Sequence, residues 1–433
     1  MEKLKFDPTH NPADEFRPTD QIKFREELSP RRDRAPDPGV VQEYADNLEN
    51  LPVIQINQHD EIIDGRHRWL AYQTNGVEQI PVEVIETCSD DEVFRLAIQA
   101  NNNHGLPLSE IDRKMAAIRL YAMGAGSDKK EIAQVLSVSE RMVRSYLTDV
   151  DKQLRGEQKQ QIFDLYMDCW TQQEIAKRMG MAQKSVSRII ESFSHNGTAS
   201  DLTESIDFNR DPDFKPPLYN VWNFGDLTNE VKHFGNSEQK IVENLLSLYT
   251  DPFDIVVDPF AGGGSTLDVC RKRLRRCYAS DRKPIPARAN QIRQLDVVES
   301  LPHLGNRWAD VSLTYLDPPY WRQAEGEYST DDEDLSNMDL AQFTASLAGV
   351  IRNIAQKQSK GVIALLIRPT QWLSEGRKVV DHVFDLISVV DLEVINRVSC
   401  PSKGVMATPP MIEWAKANKE LLVLTRELII WQV

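Results

Sequence analysis

The sequence predicts a multidomain α/β chain in which a parallel sheet at the C-terminal end carries the chemistry. Three observations predict it. From residue 254 onward, short apolar runs alternate with helically spaced stretches, and four of the runs close on an acid: Asp258, Asp281, Asp296 and Asp317. Between residues 131 and 190 one two-helix pattern occurs twice. Ahead of it, short strands and helices alternate in a small α+β module. At 433 residues the chain is too long for one ordinary core, so two or three domains are expected.

Composition narrows the class. Hydrophobic residues make up 41% and no apolar run is long, so a membrane span is not expected. The first residues, Met1 to Asp7, lack the apolar core of a signal peptide. The five cysteines are scattered, which fits neither a zinc site nor a disulfide framework and points to a reducing cytoplasm. The net charge of −15 argues against a nonspecific coat for nucleic acid. Its distribution says more. Residues 1–100 hold 11 Lys+Arg against 21 Asp+Glu, whereas residues 101–200 hold 14 against 12. Phosphate contacts should come from local patches, and the middle of the chain repels a polyanion least.

Residues 1–36, rich in Pro, Asp and Arg, are expected to be an arm. Residues 37–100 form the α+β module. Val40 to Leu51 has helical spacing, and Val53 to Asn57 alternates like a strand. Glu61 to Asp64 returns after a turn at His59-Asp60, and Pro81 to Ile85 is a further strand. Gly65-Arg66-His67-Arg68 opens a helix, where free backbone N–H groups and the two arginines suit an anion. This stretch resembles the N-terminal domain of ParB-like proteins (ParB/sulfiredoxin fold). Asp64 to Arg68 stands at the family's arginine box, and Asn101 to His104 at its second nucleotide box. Members that hydrolyse cytidine nucleotides carry an acid and an arginine where this chain has Ala100 and His104. Nucleotide binding remains one reading. A structural module in which Arg66 and Arg68 are solvated or meet DNA is the other.

Residues 101–200 are read as a helical DNA-binding region. Ile132, Ala133 and Val143 align with Ile175, Ala176 and Val186 at one constant offset. Each unit reads as a helix, a tight turn and a second helix, which is helix-turn-helix patterning. Residues 140–147 and 183–193 are the candidate recognition helices, with Arg141, Arg144, Lys184 and Arg188 as contacts to double-stranded DNA. Residues 201–217 have the composition of a linker.

Residues 218–433 hold the chemistry. The strand Asp254 to Val257 runs into Asp258-Pro259-Phe260-Ala261-Gly262-Gly263-Gly264-Ser265-Thr266, and a helix follows. A strand, a glycine turn and a helix are the first unit of a Rossmann-like sheet, and an acid at the next strand's end, Asp281, suits ribose hydroxyls. The run Val311 to Leu316 stops at Asp317-Pro318-Pro319-Tyr320-Trp321. The two prolines stiffen this exit from the sheet. It then offers the Asp317 carboxylate and the Pro318 carbonyl as acceptors, with Tyr320 as a stacking platform for a planar base. Gly361 to Ile367 and a segment within Ile387 to Val398 are two further strands. Leu421 to Thr425 and Leu428 to Trp431 are expected to close the sheet as an antiparallel pair. The basic run Arg271 to Arg276 is expected to be solvated, with DNA contact as the alternative. The acidic loop Arg322 to Asn337 reads as a capping segment, and Lys403 as a DNA contact or a plain loop residue.

The two motifs resemble those of amino-group DNA methyltransferases, the adenine-N6 and cytosine-N4 enzymes, over residues 219–433. The resemblance implies a class I methyltransferase fold and S-adenosyl-L-methionine as cofactor. It places the cofactor on Asp258, Pro259, Phe260, Ala261, Gly262, Gly264, Ser265, Thr266, Asp281 and Asp296, and its methionine end near His233, Phe234, Gly235 and Asn236. It makes Asp317, Pro318, Pro319 and Tyr320 the catalytic loop, with no metal. The Asp form of that loop leans to adenine. Only 113 residues follow Tyr320, too few for the sheet and a separate recognition domain. Site choice is therefore expected from the helix pairs, and a fragment of residues 200–433 should bind cofactor but methylate weakly or promiscuously. A ParB-like regulator with a vestigial methyltransferase domain is the alternative function, and a homodimer is left open.

Overall fold

A computed structural model describes residues 15–31, 35–103, 108–123, 128–195, 208, 214, 219–224, 238–323, 333–371, 379–401 and 407–433. The chain divides into two compact units, Met1–Glu157 and Gln158–Val433.

The first unit contains a four-stranded sheet of β1 (Glu15–Pro18), β2 (Ile54–Asn57), β3 (Ile62–Asp64) and β4 (Gln79–Ile85), in the order β1-β4-β2-β3. β2 and β3 form a hairpin whose turn residue Asp60 is left-handed, at φ 59°. The helix Arg66–Thr74 carries the chain across so that β4 returns parallel to β2. Part of the segment expected to be an arm is built into this unit. Glu15–Pro18 pairs antiparallel with β4, and Ile22 and Leu28 are buried. Single apolar residues among charged neighbours concealed this, because no local period marks them. The helix Pro38–Ala45 starts on the side chain of Asp37, which accepts from Gly39 N–H, and it stops well before Leu51.

The helices Lys129–Val135 and Glu140–Tyr146 lie in the first unit, and Gln172–Met179 and Gln183–His195 in the second. The six positions aligned by the repeat, Ile132, Ala133, Val143, Ile175, Ala176 and Val186, are all buried. The two pairs lie in separate cores, and the first shares its core with the helices Asp90–Asn103 and Glu110–Ala122.

The second unit is built on seven strands. They are β5 (Ile255–Asp258), β6 (Arg276–Asp281), β7 (Arg293–Gln294), β8 (Val311–Leu316), β9 (Val362–Ile367), β12 (Val394–Pro401) and β13 (Thr425–Gln432), in the order β12-β13-β9-β8-β5-β6-β7. A separate two-residue pair, β10 (Thr370–Gln371) and β11 (Val379–Val380), lies beyond β9. β5 to β9 are parallel, and β13 runs antiparallel between β9 and β12. The central strands are buried on both faces, as parallel strands are. Leu267 and Leu245 pack on one face, and Phe343 and Val383 on the other.

One expectation about this sheet is corrected. The segment 421–425 does not pair with 428–431: a single strand, Thr425–Gln432, pairs with β12 and β9, and Leu421 is exposed. Arg426 and Glu427 hid the continuous strand. Both are buried in it because each has a partner, Glu238 for Arg426, and Arg397 with Ser399 for Glu427. The strand expected within Ile387 to Val398 is β12, which starts at Val394 and runs on to Pro401, while Ile387 itself lies in the helix His382–Val390.

Candidate active site

β5 lies between β6 and β8, so the order of strands reverses beside it. In open α/β sheets such a point leaves a crevice at the strands' C-terminal edge. Asp258 ends β5 and is buried. Its carboxylate accepts the Phe260 N–H at 3.0 Å. Burial pushes its pKa up to about 7, against the Thr266 hydroxyl and the Phe260 N–H; the Asp317 and Asp281 charges add to the rise. The turn that follows is left-handed at Gly262 (φ 49°) and Gly264 (φ 85°). A side chain at Gly264 would also meet Arg288 and Ile292. Asp281, at the end of β6, ties the turn to its neighbour by accepting Gly262 N–H at 2.8 Å, and it accepts Lys283 N–H at 2.8 Å. Asp296 accepts Val298 N–H at 2.9 Å and pairs with Arg282 at 3.2 Å.

The loop after β8 faces the same crevice. The Tyr320 hydroxyl donates to Asp317 Oδ1 at 3.0 Å, and the Tyr315 hydroxyl lies 3.5 Å from Oδ2. Burial, with the Asp317 charge, holds both phenols protonated, well above their usual range. Arg426, paired with Glu238, hydrogen-bonds Tyr320 from below and partly offsets that rise. Trp321 is an anchor and not a second platform. It is 1% exposed, its Nε1–H donates to Met338 O at 2.8 Å, and its carbonyl accepts from Thr370 Oγ1.

Most of these groups line one cleft that is open to solvent. It brings together Asp258, Pro259, Phe260, Ala261, Gly262, Ser265, Thr266, Asp281, Asp296, Asp317 and Pro319. Gly264 shapes the turn without lining the cleft; Pro318 and Tyr320 flank the lining residues Asp317 and Pro319, and Tyr320 is partly exposed. His233, Phe234, Gly235 and Asn236 fall outside the described residues, as do His104 and Lys403. Sequence reasoning missed the apolar wall Leu295, Val297 and Val298, the cations Arg282 and Lys283, and Tyr315. Arg282 and Lys283 directly follow Asp281 and were findable. Tyr315 reads as an ordinary strand residue.

The basic run has a different role from the one expected. Arg271 is bidentate on Asp168, Arg273 pairs with Glu243 at 3.1 Å, and Arg275 donates to the Thr250 carbonyl and hydroxyl. Arg276 lies over the Tyr166 ring. These cations are consumed inside the unit.

Arg141, Arg144, Lys184 and Arg188 are exposed on their helices, with Arg144 paired to Glu140 at 2.5 Å. In the first unit, Arg68 turns inward to Asp64 (2.6 Å) and to the Pro52 and Val53 carbonyls. Arg66 lies 3.9 Å over the Phe24 ring, and burial pulls its guanidinium below its usual value. Arg66 lines a wider cavity of about 800 Å³ with Arg25, Arg31, His67, Ala100 and Asn101. All five cysteines are free thiols. No helix among the described residues is long and apolar enough to cross a membrane.

Residues 83–285 match a family model described as DNA methylase, N6/N4 type. The match takes in the glycine turn and Asp281 and ends before Asp317. The transcriptional regulator NovG of Streptomyces niveus is 31% identical over 106 residues, 24% of this chain and 33% of that protein. The chain thus spans about a third of that relative's length. Among solved structures, the C-terminally truncated chromosome-partitioning protein ParB from Caulobacter crescentus, complexed to the centromeric parS site, aligns with 41% of this chain and 98% of its own. Its identity is 14% and its TM-score 0.25. A modification subunit of a putative type I restriction enzyme from Vibrio vulnificus aligns with 60% of this chain and 52% of its own, at 12% identity and a TM-score of 0.28. Neither overlap is close enough to define a shared fold. By its motifs and by the match over residues 83–285, the chain resembles the N6/N4 DNA methylases.

Proposed function

We propose that this chain is a DNA methyltransferase that methylates the exocyclic amino group of a base taken out of the duplex. The observation that carries the reading is the single cleft joining the Asp258–Thr266 turn to the Asp317 carboxylate. We further infer that the seven-stranded sheet is a Rossmann-like methyltransferase fold and that the two helix pairs are helix-turn-helix units. The division at residue 36 is given up, because Glu15–Pro18 pairs with β4, and the second helix pair is read together with the catalytic unit.

The cleft fits S-adenosylmethionine. The positive-φ turn leaves room for close approach, and Asp281 and Asp296 offer acceptors for ribose hydroxyls. Leu295, Val297 and Val298 form an apolar wall for a flat ring, and the acids suit a cationic ligand. When bound, the cofactor supplies an electrophilic methyl group on a sulfonium.

The remaining work falls to the chain. Tyr315 and Tyr320 each donate one hydrogen bond to Asp317 and so hold its carboxylate in a set orientation. Each carboxylate oxygen keeps a lone pair for the base's amino group. Asp317 and the Pro318 carbonyl would accept the two amino hydrogens, leaving the nitrogen lone pair free for the electrophile that the cofactor would supply. Tyr320 stacks on the base. The effect is mainly positioning, and Asp317 is the acceptor in place for the proton that the nitrogen sheds. Adenine N6 is favoured over cytosine N4 by the Asp form of the loop.

The test is tritium transfer from labelled S-adenosylmethionine to mixed-sequence duplex DNA. Asp317→Ala should lower incorporation by roughly 10³-fold, with cofactor binding retained. No incorporation by the unaltered chain would sink the reading and favour a DNA-binding regulator with a silent methyltransferase domain.

One observation supports a second reading, for the first unit. Arg25, Arg31, Arg66 and His67 around one cavity suit a phosphate-bearing ligand such as a nucleotide. Ala100 stands where hydrolysing relatives have an acid, so the ligand would be held and not cleaved. Titration calorimetry with nucleoside triphosphates should show binding that Arg66→Ala weakens about tenfold or more. Heatless titrations with all four triphosphates would remove this reading.

A further inference from the structure

The two helix pairs differ in what they are attached to. The first lies in the unit Met1–Glu157 and the second in the unit that holds the cleft. The second is fastened there by a three-residue turn, Asp168-Cys169-Trp170. Cys169 ends the preceding helix in a left-handed conformation (φ 57°) and is fully buried in the core shared with Tyr278, Leu295 and Trp308. Asp168 is 2% exposed, and Arg271 grips its carboxylate with three bonds of 2.7–3.0 Å. Arg293 donates to the Asp168 carbonyl at 3.0 Å, and Arg307 to the Cys169 carbonyl at 2.7 Å. The guanidinium of Arg293 lies 4.2 Å from the Trp170 ring centroid and 4.1 Å from that of Tyr278. On the helix pair's side, Arg178 lies over the same Trp170 ring at 3.6 Å. The next residue, Thr171, caps Gln172–Met179 in a reciprocal box with Glu174. No slack therefore separates the latch from the pair.

The exposed surface of this pair is basic. Lys177, Arg178, Lys184 and Arg188 are exposed and form no ion pair with another described residue. In the first pair, Arg144 is paired with Glu140 and Lys129 with Asp151. Leu295 and Val297, whose chain segment the latch packs against, also wall the cofactor cleft. A rigid, cation-bearing helix pair built onto the catalytic body, in a chain with little room for a separate recognition domain, suits a duplex at a set distance from the cleft.

We propose that the second helix pair is the sequence-reading element of the methyltransferase, and that the Asp168-Cys169-Trp170 latch fixes its register to the catalytic cleft. The occupant of its basic face is duplex DNA flanking the target base. The first pair adds affinity without choosing the site. This rests on the methyltransferase reading given above.

The experiment uses the full-length chain and maps methylated positions on plasmid DNA, with cofactor affinity measured alongside. Lys184→Glu/Arg188→Glu should lower methylation at the preferred sites by about 100-fold and leave cofactor affinity unchanged. Arg141→Glu/Arg144→Glu should weaken duplex binding evenly and leave the list of sites as it was. Asp168→Asn, which keeps the basic face but loosens the latch, should hold duplex affinity within about threefold while methylation spreads to other sites. Circular dichroism establishes that each variant is folded, and the surface pair Lys184/Arg188 decides the matter if Asp168→Asn is not. An unchanged site list and rate in Lys184→Glu/Arg188→Glu overturns the proposal while the methyltransferase reading stands. So does a site list lost only in the first-pair variant. No methyl transfer by the unaltered chain would instead remove the reading beneath both.

Discussion

Asp258 and His382 are buried groups whose charge responds to pH in opposite senses. Asp258 has its pKa raised from 3.8 to about 7 by burial. Between those values the folded chain binds more protons than the unfolded one, so stability falls as pH rises through that window and levels off above it. His382 is 1% exposed, packed edge-on against Trp321 and Phe343, with its Nε2 at 3.1 Å from Thr370 Oγ1. Burial lowers its pKa to about 4. The unfolded chain then binds more protons between about 4 and the ordinary histidine value near 6.5, so stability rises with pH across that range. Each effect is on the order of a few kcal/mol, about 4 for Asp258 and about 3 for His382. Urea melts from pH 4.5 to 8 should show both. Relative to the unaltered chain, Asp258→Asn gains most at high pH, and His382→Gln has its advantage only below about pH 6.5. Flat difference curves for either would show that the group does not titrate differently on folding.

At the scale of the element, the loop after β8 is held from behind. Trp321 fills the core, its carbonyl meets Thr370, and Gln323 Nε2 donates to the Pro369 carbonyl at 3.2 Å. Asp317 and Tyr320 therefore sit on a segment whose far end is anchored at several points. Trp321→Ala should cost about 3–5 kcal/mol of stability. Because it frees the loop, it should also reduce the rate of methyl transfer more than it weakens cofactor binding, measured by melts and single-turnover assays. The loop and the glycine turn were legible because their signals are local: an apolar run, then a strict change of residue type within a few positions. The repeat was legible for the same reason, as one offset carries three buried positions of each pair. β1 was not, because Glu15–Pro18 becomes a strand only through β4, more than 60 residues later. The continuous strand Thr425–Gln432 was hidden by Arg426 and Glu427, whose partners lie on other elements. Asp168 was invisible for the same reason, since the arginine that explains its burial is 103 residues away.

On the scale of the whole molecule, that last contact changes which piece of chain can stand alone. The sequence suggests a catalytic fragment of residues 200–433. Such a fragment would lose the Asp168-Cys169-Trp170 turn, leaving Arg271, Arg293 and Arg307 without the carboxylate and carbonyls they now bond. It would also open the core where Cys169 lies. Removing one partner of a buried ion pair costs about 3–5 kcal/mol. For a body of this size that lowers the melting temperature by on the order of 10 °C. A fragment beginning at Thr148, where the helix Thr148–Met167 starts, keeps the turn and the second helix pair. It should melt well above the 200–433 fragment and, under the proposed function, should bind S-adenosylmethionine with the same affinity as the full chain. Differential scanning calorimetry of the two fragments checks this. Equal melting temperatures would mean that the turn adds nothing to the second unit, and the helix pair would then have no fixed place from which to select a base.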